Sequence, residues 1–329
     1  MRPLAEILRD QIRRDGPISF QRFMESALYD PVHGYYRWAH DPFGKHGDFY
    51  TAEQLQPVFG ILMAARVRML YEEMGAPPEF TVVELGAGRG EMAEAFSRWR
   101  YIPVDLAHGA LPERFRGVVF CNEFFDALPV EAVCYRAGCH RELRVGWNER
   151  FVWTEGGVAR DELADYLRRY FPPPEEGAQY EVSLEALHWM ERIARALEAG
   201  FVITIDYGYT RAESMRLPSG TLMSYRRHLA DEAVLDDPGG KDITAHVCFT
   251  ALEEYGAHIG LEAVRFETLA QTLLAAGEPD QFAAALAAST EAEELQRRLQ
   301  LKNLLFGMGE TFRTLIQRAG GEHAGVRTK

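Results

Sequence analysis

The stretch Val82-Val83-Glu84-Leu85-Gly86-Ala87-Gly88-Arg89-Gly90 begins apolar, reaches an acid and then turns through three glycines. A short apolar run bounded by turn residues favours a buried strand. Glycines directly after it let backbone N–H groups and the start of a helix close around a polar ligand. The spacing is Gly-x-Gly-x-Gly. A dinucleotide fingerprint requires Gly-x-Gly-x-x-Gly, with its third glycine where helix and strand pack closest, and that position here is Glu91. A turn that only joins strand to helix is the plain alternative, although three glycines make such a turn entropically expensive.

Glu84 lies just ahead of the loop, where it suits a cofactor with a cationic amino group and no phosphate, the character of S-adenosylmethionine. Outward from the loop, strand-like runs fall at 80–85, 101–104, 117–121, 131–135, 143–147 and 201–206, and helix-like runs at 91–99, 161–170 and 184–199. That alternation predicts an α/β fold with a doubly wound sheet. Helices are expected at 3–14, at 19–28 with Ser19 as cap, and at 54–74. An aromatic, turn-dense stretch around 43–50 is placed to act as a lid. The last third is expected to be mostly helical, over 249–258, 270–275, 281–301 and 304–317, with one strand near 261–267. The expected organisation is an N-terminal helical and lid segment over 1–75, a core over 76–268 with an insertion around 131–200, and a helical region over 269–329 packed on the core.

Composition excludes several classes. With 47% apolar and 26% charged residues, 329 residues bury a full core. A net charge of −13 argues against a broad nucleic-acid footprint and favours basic proteins, peptides or small molecules as partners. No apolar run approaches the roughly 18 residues of a membrane span, and the first residues lack a signal-peptide pattern, so a cytoplasmic setting is expected. The 4 cysteines form no CxxC pair, no metal is expected, and buried free thiols are the simplest assignment.

A second cluster follows the strand at 117–121: Asn122-Glu123-Phe124-Phe125-Asp126-Ala127-Leu128-Pro129. Ligands in open α/β sheets bind outside the carboxyl ends of the strands, so these polar groups are expected beside the glycine loop. Asn122 offers an amide oxygen, Glu123 and Asp126 can accept a proton from a nitrogen nucleophile, and the two phenylalanines could stack on a planar cation or simply fill the core. Asp206 ends the strand at 201–205 on the same edge and could orient a substrate cation. Asp242 and His246 are four residues apart at an expected helix start, with Asp242 as cap and His246 toward the cleft. Tyr225, Arg226 and His228 form a further group of polar contacts.

Five motifs occur in a fixed order: Gly47-Asp48-Phe49-Tyr50-Thr51-Ala52, the glycine loop, Asn122 through Val130, Ile205-Asp206-Tyr207-Gly208, and Asp242 through Phe249. In this the chain resembles the MidA-like family of class I S-adenosylmethionine-dependent methyltransferases over about 18–320. The resemblance implies a Rossmann-like class I core, S-adenosylmethionine as cofactor, and methyl transfer to an arginine nitrogen of a partner protein. It implies cofactor contacts from Thr51, Glu84, Gly86, Gly88, Gly90, Asp105 and Asn122, and catalytic roles for Asn122, Glu123, Asp126, Asp206 and His246. A homodimer is compatible with it. In one respect the chain departs from the family: only a short stretch separates the loop from Asn122, so a strand–helix unit reads as trimmed. Asp105 then either ends a short strand and meets a ribose or belongs to the next strand. Two other readings stand beside the enzyme: a non-catalytic binding or assembly protein on the same scaffold, and a nicotinamide-linked oxidoreductase, which the glycine spacing disfavours.

Overall fold

Val82 and Val83 have no exposed surface in β1 (Thr81–Leu85), every residue of which is buried. Such a run belongs in the middle of a parallel sheet covered on both faces. In the computed structural model, which describes residues 3–37, 52–106, 109–227 and 229–320, that is where it lies. The chain forms two compact units. One takes residues 1–50, 126–187 and 209–250, and the other residues 51–125, 188–208 and 251–329.

The second unit is built on the sheet that contains β1, with β2 (Arg100–Val104), β3 (Phe115–Asn122), β4 (Leu197–Tyr209), β5 (Leu261–Thr268) and β6 (Phe312–Ala319). The spatial order is β2-β1-β3-β4-β6-β5. β1 pairs in parallel with β2 and β3, and β3 with β4, while β6 runs antiparallel between β4 and β5. After β2 the chain crosses to the far side of β1, which makes the gap between β1 and β3 a topological switch point where α/β sheets bind ligands. Register brings Leu85, Val104 and Cys121 into one row, so the segments that follow leave from one edge.

Glycines set the opposite end of these strands. A Cβ on Gly117 would lie 1.9 Å from the Thr81 carbonyl oxygen, and one on Gly200 would lie 1.8 Å from that of Gly117. Their φ values of +146° and +141° also exclude ordinary side chains. The core of this unit joins Val82, Val118, Phe120, Phe201 and Ile203 to Phe59, Met63 and Val67 of the helix Val58–Glu73.

Several expectations are corrected here. Residues 91–99 form successive turns rather than a regular helix, still burying Met92 and Phe96 one helical turn apart. The helix expected over 304–317 gives way at Phe312 to β6, which has a strand on each side and is buried on both faces and so lacks the alternation of a half-exposed strand. Residues 281–301 hold a short helix, Ala283–Leu286, before the long one, Glu291–Asn303. The strand ahead of Asp105 is present as β2, so the expected loss of a whole strand–helix unit does not hold for the strand; among the described residues between it and β3 there is no helix.

The first unit packs the helices Pro3–Asp15 and Phe20–Tyr29 against antiparallel strands. Ser19 caps the second helix by accepting the Arg22 N–H. The strand Cys139–Asn148 pairs with Ile18–Ser19, Glu131–Arg136 and Arg150–Val158. Phe20, Phe23, Val130, Val145 and Ile243 lie in its core. Asp242 lies in a strand, Asp242–Thr244, not at a helix start: Ile243 is drawn into that core, and the strand pairs with Met223–Arg226.

Candidate cofactor and catalytic site

The glycine loop turns through positive φ at Gly86 (+73°), Gly88 (+50°) and Gly90 (+79°). A Cβ on Gly86 would come within 3.1 Å of the Phe124 ring, and one on Gly90 would meet open space. The N–H groups of Gly86 and Ala87 donate to the Val104 carbonyl at 2.9 and 3.3 Å, and that of Gly88 to Asp105 Oδ2 at 2.8 Å. The end of β2 therefore occupies the donors that a pyrophosphate would need, contrary to the expectation that they face a ligand. Asp105 directly follows β2, and its other oxygen accepts the N–H of Leu106 at 2.6 Å.

The acids around the loop point the same way. Glu84 is 1% exposed, accepts the Tyr101 hydroxyl through Oε2, and among the described residues has no hydrogen-bond donor at Oε1. Burial raises its carboxyl to about 7. Glu53, in the turn Ala52–Gln54, is 7% exposed and also raised well above the usual range, first by burial and then by Glu84 and Glu123. A buried, acid-rich site whose backbone donors are already engaged fits a cation and repels phosphate. The residues present therefore fit S-adenosylmethionine rather than a dinucleotide.

Asn122 ends β3. Its Nδ2 donates to Glu123 Oε1 at 3.1 Å, while its buried Oδ1 has no partner among the described residues. Glu123 has φ +49° and accepts the Ala52 N–H at 3.2 Å. A non-glycine residue in that region is strained, as functional residues often are. Asp206, fully buried, accepts the Phe125 N–H through Oδ2 at 3.1 Å and the Tyr207 N–H through Oδ1 at 3.0 Å. Its carboxylate ties the loop after β3 to the end of β4. Phe125 is core at 3% exposed, and Phe124 packs edge-on to Trp189 with centroids 5.1 Å apart, so neither is a free stacking plate.

In the first unit, Asp126 and Asp242 are both buried. Tyr36 donates its hydroxyl to Asp242 Oδ1 at 3.0 Å, and its own acidity is suppressed by burial and then by Asp242, Tyr29 and Asp126. Tyr225 is shifted upward by burial and by the same two acids. His246 follows the strand Asp242–Thr244; its N–H donates to Thr221 Oγ1 at 3.0 Å, and burial lowers its imidazole below the usual range. Thr51, the aromatic stretch 43–50 and His228 lie outside the described residues. Glu53, Tyr101 and Tyr36 were not anticipated. Glu53 had one sequence signal, its place beside the Thr51-Ala52 motif.

A sheet of this order, with a switch-point glycine loop whose acids suit a cation, defines a class I methyltransferase that uses S-adenosylmethionine. The family described as "Putative S-adenosyl-L-methionine-dependent methyltransferase" matches residues 94–267. Protein arginine methyltransferase NDUFAF7, mitochondrial, of Mus musculus is 35% identical, over 76% of this chain and 69% of its own. The Drosophila melanogaster homolog of that protein is 26% identical, over 75% and 68%. Among solved structures, a superfamily member from Burkholderia thailandensis bound to S-adenosyl-homocysteine aligns with a TM-score of 0.85 and 31% identity, covering 96% of this chain and 92% of that one. The chain belongs to this family of S-adenosylmethionine-dependent methyltransferases, the MidA-like group, and the oxidoreductase reading is set aside.

Proposed function

We propose that the chain methylates an arginine nitrogen of a partner protein. The observation that carries this is the Asn122–Glu123 pair at the end of β3, an amide oxygen unpartnered among the described residues beside a carboxylate held in a strained backbone. The names of the relatives support the same acceptor. A guanidinium is protonated at neutral pH and is a poor nucleophile until a carboxylate localises its charge and takes a proton.

When bound, the cofactor supplies a methyl carbon on a sulfonium. Asn122 Oδ1 accepts an N–H of the acceptor and fixes its orientation, and Glu123 receives the proton released as the nitrogen is methylated. Asp206 holds the loop in place through the Phe125 N–H.

The test is incubation with methyl-labelled S-adenosylmethionine and arginine-containing protein fractions, followed by hydrolysis and amino-acid analysis. Label in methylarginine is the expected result. Label confined to methyl-lysine, carboxyl esters or small molecules would refute the arginine assignment.

A further inference from the structure

Glu53 and Glu84 are two buried carboxyls close enough that each acts on the other's protonation in addition to burial. Two carboxylates buried side by side repel, and one proton held between them removes that repulsion. The rest of the surroundings agrees. Tyr101 donates to Glu84 Oε2, and among the described residues Glu84 Oε1 has no N–H or O–H donor. The other groups acting on the pair, Glu91, Asp105 and Glu123, are all acidic. Two ionised carboxylates buried close together repel strongly.

We propose that Glu53 is a cofactor-binding residue: as the protonated member of the pair it donates to Glu84, so that the two together present a single negative charge to the ammonium of the cofactor's amino-acid portion. This rests on the cofactor reading and extends it to a residue outside the glycine loop. A single charge matches a single ammonium, whereas two would leave an excess negative charge buried. Below neutral pH the pair takes up a second proton and loses its charge. A nearby cation lowers the carboxyl again, so binding in acid must expel a proton to solvent.

Calorimetric titration with S-adenosylhomocysteine, which keeps the ammonium and lacks the sulfonium, tests this. Glu53→Gln places a neutral donor where the protonated acid stood and should bind within about 3-fold of wild type at pH 7.5. Glu53→Ala removes the donor and should bind about 10-fold or more weakly. Equal losses in both variants, or none in Glu53→Ala, would overturn the proposal. A second readout needs only wild type: repeated in two buffers of different ionisation enthalpy, binding should release close to one proton at pH 6 and almost none at pH 8. Binding without such a pH-dependent release overturns the shared proton while leaving the cofactor site standing. No binding at all overturns both.

Discussion

The Gly88 N–H donates to Asp105 Oδ2 at 2.8 Å, tying the middle of the glycine loop to the end of the neighbouring strand. Asp105 also accepts the Leu106 N–H, so one carboxylate organises both backbones. Asp105→Ala leaves two donors without their charged acceptor, a loss of about 1.5–3 kcal/mol. We expect S-adenosylhomocysteine to bind roughly 10-fold or more weakly by calorimetry. Unchanged affinity would show that the loop holds its shape without this tie.

Glu123→Gln separates chemistry from architecture. Glutamine keeps an oxygen for the Ala52 N–H and the Asn122 amide but cannot take a proton. Methyl transfer should fall about 10²–10⁴-fold while the melting temperature and cofactor affinity stay close to wild type. A parallel fall in all three would make Glu123 a structural residue.

Gly200→Ala probes the sheet away from the site. Its Cβ would lie 1.8 Å from the Gly117 carbonyl oxygen on the adjacent strand, at φ +141°. Strain and displacement together should cost about 3 kcal/mol or more, read as a lower urea midpoint. A wild-type midpoint would show that β3 and β4 can separate at little cost.

His246 gives a pH signature. Burial lowers its imidazole below 6.5, so the folded chain binds its proton less readily than the unfolded chain. Its contribution to stability is complete above about pH 6.5 and declines as pH falls through the folded value. His246→Gln should lose less stability than wild type between pH 6.5 and 5 in urea titrations. Parallel curves would mean that the imidazole protonates as easily folded as unfolded.

The parts of the fold that local pattern dictates could be foreseen. β1, the loop after it and the Asn122 cluster stand out because a buried strand must be apolar and a tight turn needs glycine. β6 was missed because adjacent Leu315 and Ile316 suit a buried helix as well as a strand covered on both faces, and only its neighbours β4 and β5 decide. Glu53 could not be paired with Glu84 from spacing, because their proximity is a product of tertiary packing. Asp206 was visible as an acid at a strand end, but its commitment to the Phe125 and Tyr207 N–H groups was not.

The chain passes back and forth between its two compact units, each assembled from three separate lengths of sequence. No single cut, and no recombination at one crossover, yields either unit whole. Such a gene cannot easily trade its cofactor-binding half for another, and it diversifies by changing residues in place. A nonsense mutation anywhere upstream of β6 removes the strand that joins β5 to the rest of the sheet, so early truncation products should be cleared as unfolded chains rather than survive as cofactor-binding fragments.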